Sequence, residues 1–202
     1  MTWIQAIGWL GQGAYFSRSI LQWLASERLR RSVVPAGFWR LSVLGALALF
    51  SYAALNRDPV IMLGQAVNLA IYLRNLRLER RKSPTPLGRR ALVIATGVMA
   101  LSLAIVLALS LHLDHSVWTL VGWCGQFIFL TRFPLQWWRA ERSGQVELPP
   151  AFWWISLTGS ALILVYAVSR ADPVIASGQA LGLLTYGRNL ALLRHGRALA
   201  AG

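Results

Sequence analysis

Long apolar stretches alternate with short basic ones along this 202-residue chain, and polar groups recur at fixed places inside the apolar stretches. The run "DPVIMLGQAVNLAIYLRNL" spans Asp58 to Leu76, and "DPVIASGQALGLLTYGRNL" spans Asp172 to Leu190. At about 100° per residue, Asp58, Ile61, Gln65, Asn68, Tyr72 and Asn75 share one helix face. The matching face of the second run carries Asp172, Ile175, Gln179, Gly182, Tyr186 and Asn189. A polar stripe of that length is costly against lipid, so it is expected to face protein or a wet cavity. Arg74 and Arg188 fall off the stripe, about one turn from the helix end. Snorkelling, interhelical pairing and ligand contact are all open to them.

The two runs belong to a larger duplication. Residues 8–78 align with 122–192 without a gap, and about 30 of about 71 positions are identical. The matches include Gly11 and Gln12 with Gly125 and Gln126, Arg18 and Gln22 with Arg132 and Gln136, and Ser42 and Gly45 with Ser156 and Gly159. Agreement at polar positions says that both units face similar chemistry. Hydrophobic bulk alone would not preserve it.

Each unit holds three apolar segments of spanning length, about 20 residues apiece. They cover residues 3–25, 36–56 and 59–78, then 116–138, 151–170 and 173–193. Between the units, residues 91–112 are uniformly apolar and match neither copy, which predicts a lone spacer helix. The expected fold is an all-α integral membrane protein of seven transmembrane helices in a 3+1+3 order. Its parts are a first three-helix repeat (1–78), a basic linker with the spacer helix (79–115), a second repeat (116–194) and a tail (195–202). One linking span makes the repeats parallel, related by an axis along the membrane normal.

Composition agrees with this reading. The chain is 56% hydrophobic, only 13% charged, and carries a formal net charge of +13. The basic residues sit in short loops between apolar runs and form no separate basic domain, which argues against nucleic-acid binding. The loops around residues 26–35, 77–90, 139–150 and 194–202 hold about 13 Lys/Arg, against about 2 on the other side. The C-terminus is therefore expected in the cytoplasm and the N-terminus on the opposite side of the membrane. The first segment lacks a basic start and reads as a retained helix. One cysteine and three scattered histidines offer no disulfide and no metal site, and no cofactor is expected.

The candidate chemistry is recognition. Arg18 and Arg132 lie about two turns inside the cytoplasmic boundary of the first helix of each unit, where a charge is expensive and functional by default. A structural pair with Glu27 or Glu141 is the alternative, although each glutamate lies about 13 Å further along the axis. The candidate substrate-binding set is Arg18, Gln22, Gln65, Asn68, Tyr72, Arg74, Asn75, Arg132, Gln136, Gln179, Tyr186, Arg188 and Asn189. Pro134 stands inside the fifth span as a hinge or a fixed kink. No nucleophile has a base plausibly at hand, so no catalytic residues and no enzymatic activity are expected.

The pattern "GWLGQ", "SR", "QW", "SE", then Pro35, "FW", Ser42, Gly45, Tyr52, "DPV", "GQ" and "RNL" resembles the lipid A biosynthesis N-terminal domain family. The resemblance covers both units. It implies a three-helix membrane domain that occurs singly, in tandem, or fused ahead of lipid-A-disaccharide synthase. No segment here resembles the synthase domain, so glycosyl transfer is not expected of this chain. The family is also similar to PQ-loop and SWEET transporters, with Gly-Gln standing where those carry Pro-Gln. That kinship places a substrate site at Gln65, Asn68 and Gln179. The resulting expectation is an inner-membrane transporter or flippase for a lipid-linked sugar or anionic glycolipid. The alternatives are a SWEET-like free-sugar carrier and a non-transporting membrane partner of a glycosyltransferase. The expected partners are membrane lipids, a lipid-linked sugar and a glycosyltransferase, with no nucleic acid.

Overall fold

In a computed structural model, the described residues are 2–29, 35, 37–81, 116–143 and 150–200, and they form six α-helices with no strand among them. These are α1 (Trp3–Leu29), α2 (Phe38–Leu55), α3 (Pro59–Arg81), α4 (Val117–Ser143), α5 (Pro150–Ser169) and α6 (Pro173–Ala200). All six lie where the apolar segments predict them. The expected spacer helix at 91–112 lies outside the described residues.

The all-helical architecture is therefore established, and the seven-span count is not. Among the described residues, two helices, Phe38–Leu55 and Pro150–Ser169, are long and apolar enough to cross a membrane, and Pro59–Leu73 is a shorter apolar stretch. The other helices have the length but are diluted by arginine, glutamate and amides such as Arg18, Gln22, Glu27 and Arg28 in α1.

The chain divides into two compact units, Met1–Leu113 and Asp114–Gly202. In the first, α2 packs against both α1 and α3; in the second, α5 packs against α4 and α6. The middle helix is thus the core of each unit. It buries Ser42, Gly45, Ala46, Leu49, Tyr52 and Ala53 in α2, and Phe152, Ser156, Gly159, Ser160, Ile163, Tyr166 and Ala167 in α5.

Glycine sets the closeness of these contacts. A Cβ on Gly45 would lie 2.5 Å from the Tyr15 ring and 3.1 Å from the Gly11 carbonyl oxygen. In the second unit, a Cβ on Gly159 would lie 2.7 Å from the backbone nitrogen of Phe129. Backbones this near fit the small-residue packing of helices in membranes.

The turn between the second and third helices repeats almost atom for atom. Arg57 and Ala171 adopt the left-handed region at φ 52° and 51°. Asp58 N–H donates to the Ala53 carbonyl at 2.8 Å and Arg57 N–H to Ala54 at 3.1 Å; Asp172 donates to Ala167 and Ala171 to Val168, both at 2.9 Å. This is a Schellman closure of the preceding helix. The same aspartate then opens the next helix: Asp58 Oδ1 accepts from Ile61 N–H at 3.1 Å, and Asp172 Oδ1 from Ile175 N–H at 3.0 Å. Pro59 and Pro173 follow at the first helical position, where no N–H is needed. The two aspartates at the head of the polar stripes are therefore helix caps.

Candidate functional site

In the first unit, α1 carries Arg18 toward the start of α2. Its Nη1 donates to Ser42 Oγ at 2.8 Å, and Ser42 Oγ donates back to the Phe38 carbonyl at 2.7 Å. Aromatic rings surround the guanidinium: Cζ lies 4.2 Å from the Tyr15 centroid, 5.1 Å from Tyr72 and 5.4 Å from Phe38. Tyr72 is itself held edge-on to Tyr15 and tilted against Trp39. Stacked rings stabilise a partly desolvated cation by cation–π attraction.

The second unit repeats the arrangement with changes. Arg132 is nine-tenths buried. Its Nη1 donates to Tyr186 Oη at 3.2 Å and to Ser156 Oγ at 3.5 Å. Its Cζ lies 3.6 Å from the Phe129 centroid and 4.7 Å from Phe133. Its Nε is buried and has no hydrogen-bond partner.

The glutamine oxygens of the stripes are met inside their own unit, although not by the same partner. Tyr15 Oη donates to Gln65 Oε1 at 2.8 Å. Phe129 stands at the tyrosine's place in the second unit and has no hydroxyl to give. There Ser160 Oγ donates to Gln179 Oε1 at 2.6 Å, from the place where α2 has Ala46. A third position follows. A Cβ on Gly182 would lie 3.3 Å from Ser160 Oγ, so the serine leaves room only for a small residue. The first unit, with Ala46, places Asn68 there. Asn68 is buried and its Oδ1 lacks a hydrogen-bond partner.

The structure brings together Arg18, Gln65 and Tyr72 around Tyr15, and Arg132 with Tyr186. Gln22 and Asn75 are half-buried further along α1 and α3. Arg188 is exposed, and Asn189 Nδ2 donates to its own helix at Thr185 O, 2.8 Å. The side chains of Arg74 and Gln136 lie outside the described residues. Glu27 is exposed. The helix continues through Pro134. Sequence reasoning left Ser42, Ser156, Phe38 and Phe152 out of the site. The signal was present: a serine repeated in two mostly apolar helices, each 24 positions after its arginine.

Comparison with known proteins gives a consistent picture. The family model described as Lipid A Biosynthesis N-terminal domain matches residues 7–77 and again 121–191. The chain is similar to lipid-A-disaccharide synthase of Chlamydia abortus, at 30% identity over 81% of this chain and 28% of that protein. The enzyme of the same name from Chlamydia felis is 29% identical over 88% of this chain and 31% of its own length, and that from Chlamydia muridarum 30% over 85% and 31%. The chain thus spans about three tenths of the curated relatives it matches. No solved structure matches it.

These relatives correct two expectations. They are named for a synthase, so a transporter or flippase, and the kinship to PQ-loop and SWEET carriers behind it, finds no support. They are also named for an enzyme, so the expectation of no enzymatic activity is overturned as well. The polar stripes, expected to face protein or a wet cavity, are largely taken up by hydrogen bonds, caps and ring contacts within each unit.

Proposed function

The chain belongs to the lipid A biosynthesis N-terminal domain family, and from that premise we propose that it serves lipid A disaccharide synthesis as a membrane-embedded module that holds the anionic headgroup of a glycolipid. The observation that carries this reading is Arg132, buried among aromatic rings and donating to a serine and a tyrosine hydroxyl, at the place that Arg18 takes in the first unit. Guanidinium suits a phosphate by its planar fork, and tyrosine, serine and amide groups suit sugar hydroxyls. The substrate class is a phosphorylated acyl-saccharide, held for a glycosyltransferase at the cytoplasmic face. The relatives, lipid-A-disaccharide synthases, suggest the reaction served, and the chemistry around Arg132 suggests the headgroup.

The same reading places the chain in a bacterial inner membrane as seven spans. The N-terminus is periplasmic and the C-terminus cytoplasmic, because the basic loops cluster on one side.

The test is binding by the purified chain in lipid nanodiscs, with a phosphorylated acyl-disaccharide and its dephosphorylated form compared. Loss of the phosphate is expected to weaken binding at least about tenfold. Equal binding of both forms would refute the anionic-headgroup reading. Topology is tested by labelling cysteines placed in residues 79–90 after Cys124 is changed to alanine. Labelling from the periplasm would overturn the assigned sidedness.

A further inference from the structure

We infer that the second unit alone carries the phosphate position, at the Nε–Nη2 edge of Arg132, and that Arg18 is its structural counterpart. The inference rests on the anionic-headgroup reading and goes beyond it by separating two sites that the sequence makes equivalent.

Among the described residues, two buried side-chain polar atoms lack a hydrogen bond, and Arg132 Nε is one of them; no atom of Arg18 is in that condition. Both hydrogen bonds from Arg132 leave Nη1, toward Ser156 and Tyr186. The Phe129 ring sits close against the guanidinium, with Phe133 and Phe152 further out. With Nη1 engaged, the donor direction left unserved lies in the guanidinium plane, along the edge shared by Nε and Nη2. Two parallel N–H groups on that edge match two oxygens of one phosphate. No ion pair with Arg132 is found among the described residues, and a buried charge without a counter-charge is costly. An oxyanion at that edge supplies both the missing acceptor and the missing charge.

Arg18 is arranged differently. It is only half-buried, and its bond to Ser42 is short at 2.8 Å. The corresponding bond of Arg132 is 3.5 Å. Tyr15 and Tyr72 complete the Arg18 enclosure with rings whose positions are fixed by Gln65 and Trp39. The first unit's arginine thus ties α1 to α2, and the second unit's arginine keeps a free edge.

The experiment is a thermodynamic cycle on the full chain in nanodiscs. It combines Arg132→Gln, Arg132→Lys and Arg18→Gln with the phosphorylated and dephosphorylated acyl-disaccharide, and records a melting curve for each variant. Arg132→Gln should weaken binding of the phosphorylated ligand at least about tenfold and erase the preference for phosphate, while Arg132→Lys keeps part of it. Arg18→Gln should lower the melting temperature and leave the phosphate preference within about twofold. An Arg132→Gln protein that still prefers phosphate would overturn the contact. Equal losses for Arg18→Gln and Arg132→Gln would overturn the division between the units and leave the functional reading standing. No phosphate preference in the unaltered chain would sink the functional reading itself. Competition by inorganic phosphate at the same concentration would overturn a lipid-borne source.

Discussion

Replacing Tyr15 by phenylalanine removes one oxygen and tests how each unit satisfies its glutamine. The hydroxyl donates to Gln65 Oε1 at 2.8 Å in a partly buried setting. A net hydrogen bond is worth about 1 kcal/mol, and leaving a buried acceptor unpaired costs about 1–3 kcal/mol. Gln65 is only half-buried, so the lower part of that range applies and Tyr15→Phe should cost about 1.5 kcal/mol. The second unit already carries phenylalanine at this place and serves Gln179 from Ser160 at 2.6 Å. Ala46→Ser should therefore rescue Tyr15→Phe. Ala46 has no exposed surface, so the new hydroxyl must find a partner in the protein. In the presence of Tyr15, the serine can back-bond to its own helix as Ser42 does, so Ala46→Ser alone should be near neutral. Rescue will be incomplete, because Ser160 stands only 3.3 Å from where a Cβ at 182 would lie and Asn68 fills the matching place. The assay is a double-mutant cycle on denaturation of the purified chain in detergent, with an expected coupling of about 1 kcal/mol. Additivity to within about 0.3 kcal/mol would show that the two hydroxyls do not share the glutamine and refute the reasoning.

The other predictions concern the frame that positions the site, and thermal unfolding checks each. Gly159→Ala should cost about 1–3 kcal/mol, because its Cβ would meet the Phe129 backbone at 2.7 Å and backbone gives way least. Gly187→Ala, in α6 with nothing within 4 Å of its Cβ, should instead stabilise by up to about 1 kcal/mol. Ala171→Gly should stabilise by up to about 1 kcal/mol by relieving a left-handed residue, whereas Ala171→Val should destabilise. Asp58→Ala should cost about 1 kcal/mol through the lost cap, and Asp58→Asn should cost little.

The helices were legible in the sequence because apolar runs bounded by Pro59, Pro173 and basic loops leave little choice. The duplication was legible because Arg18, Ser42, Asp58 and Gln65 recur together. The roles of those residues were harder to read. Asp58 shares a helical face with Gln65, yet its carboxylate turns to Ile61 N–H, since the first turn of a helix has donors to satisfy. Ser42 and Ser156 went unassigned because a serine in an apolar helix normally bonds its own backbone. These do so, and in addition accept from the arginine of a neighbouring helix. Helical periodicity describes one helix at a time and says nothing of a partner that reaches in from another.

The relocated hydroxyl bears on how two copies of one unit can drift apart. Passing from the Tyr15 and Ala46 pairing to the Phe129 and Ser160 pairing takes at least two substitutions, and the order matters. If the serine arises first, the intermediate has two hydroxyls for one glutamine. If the tyrosine is lost first, the intermediate has none and strands the amide. The first path is nearly level, and the second crosses a barrier of about 1.5 kcal/mol, a large share of the stability of a small unit. The copies are no longer interchangeable parts: an α1 exchanged for α4, without its matching middle helix, would bring one glutamine two donors and leave the other with none.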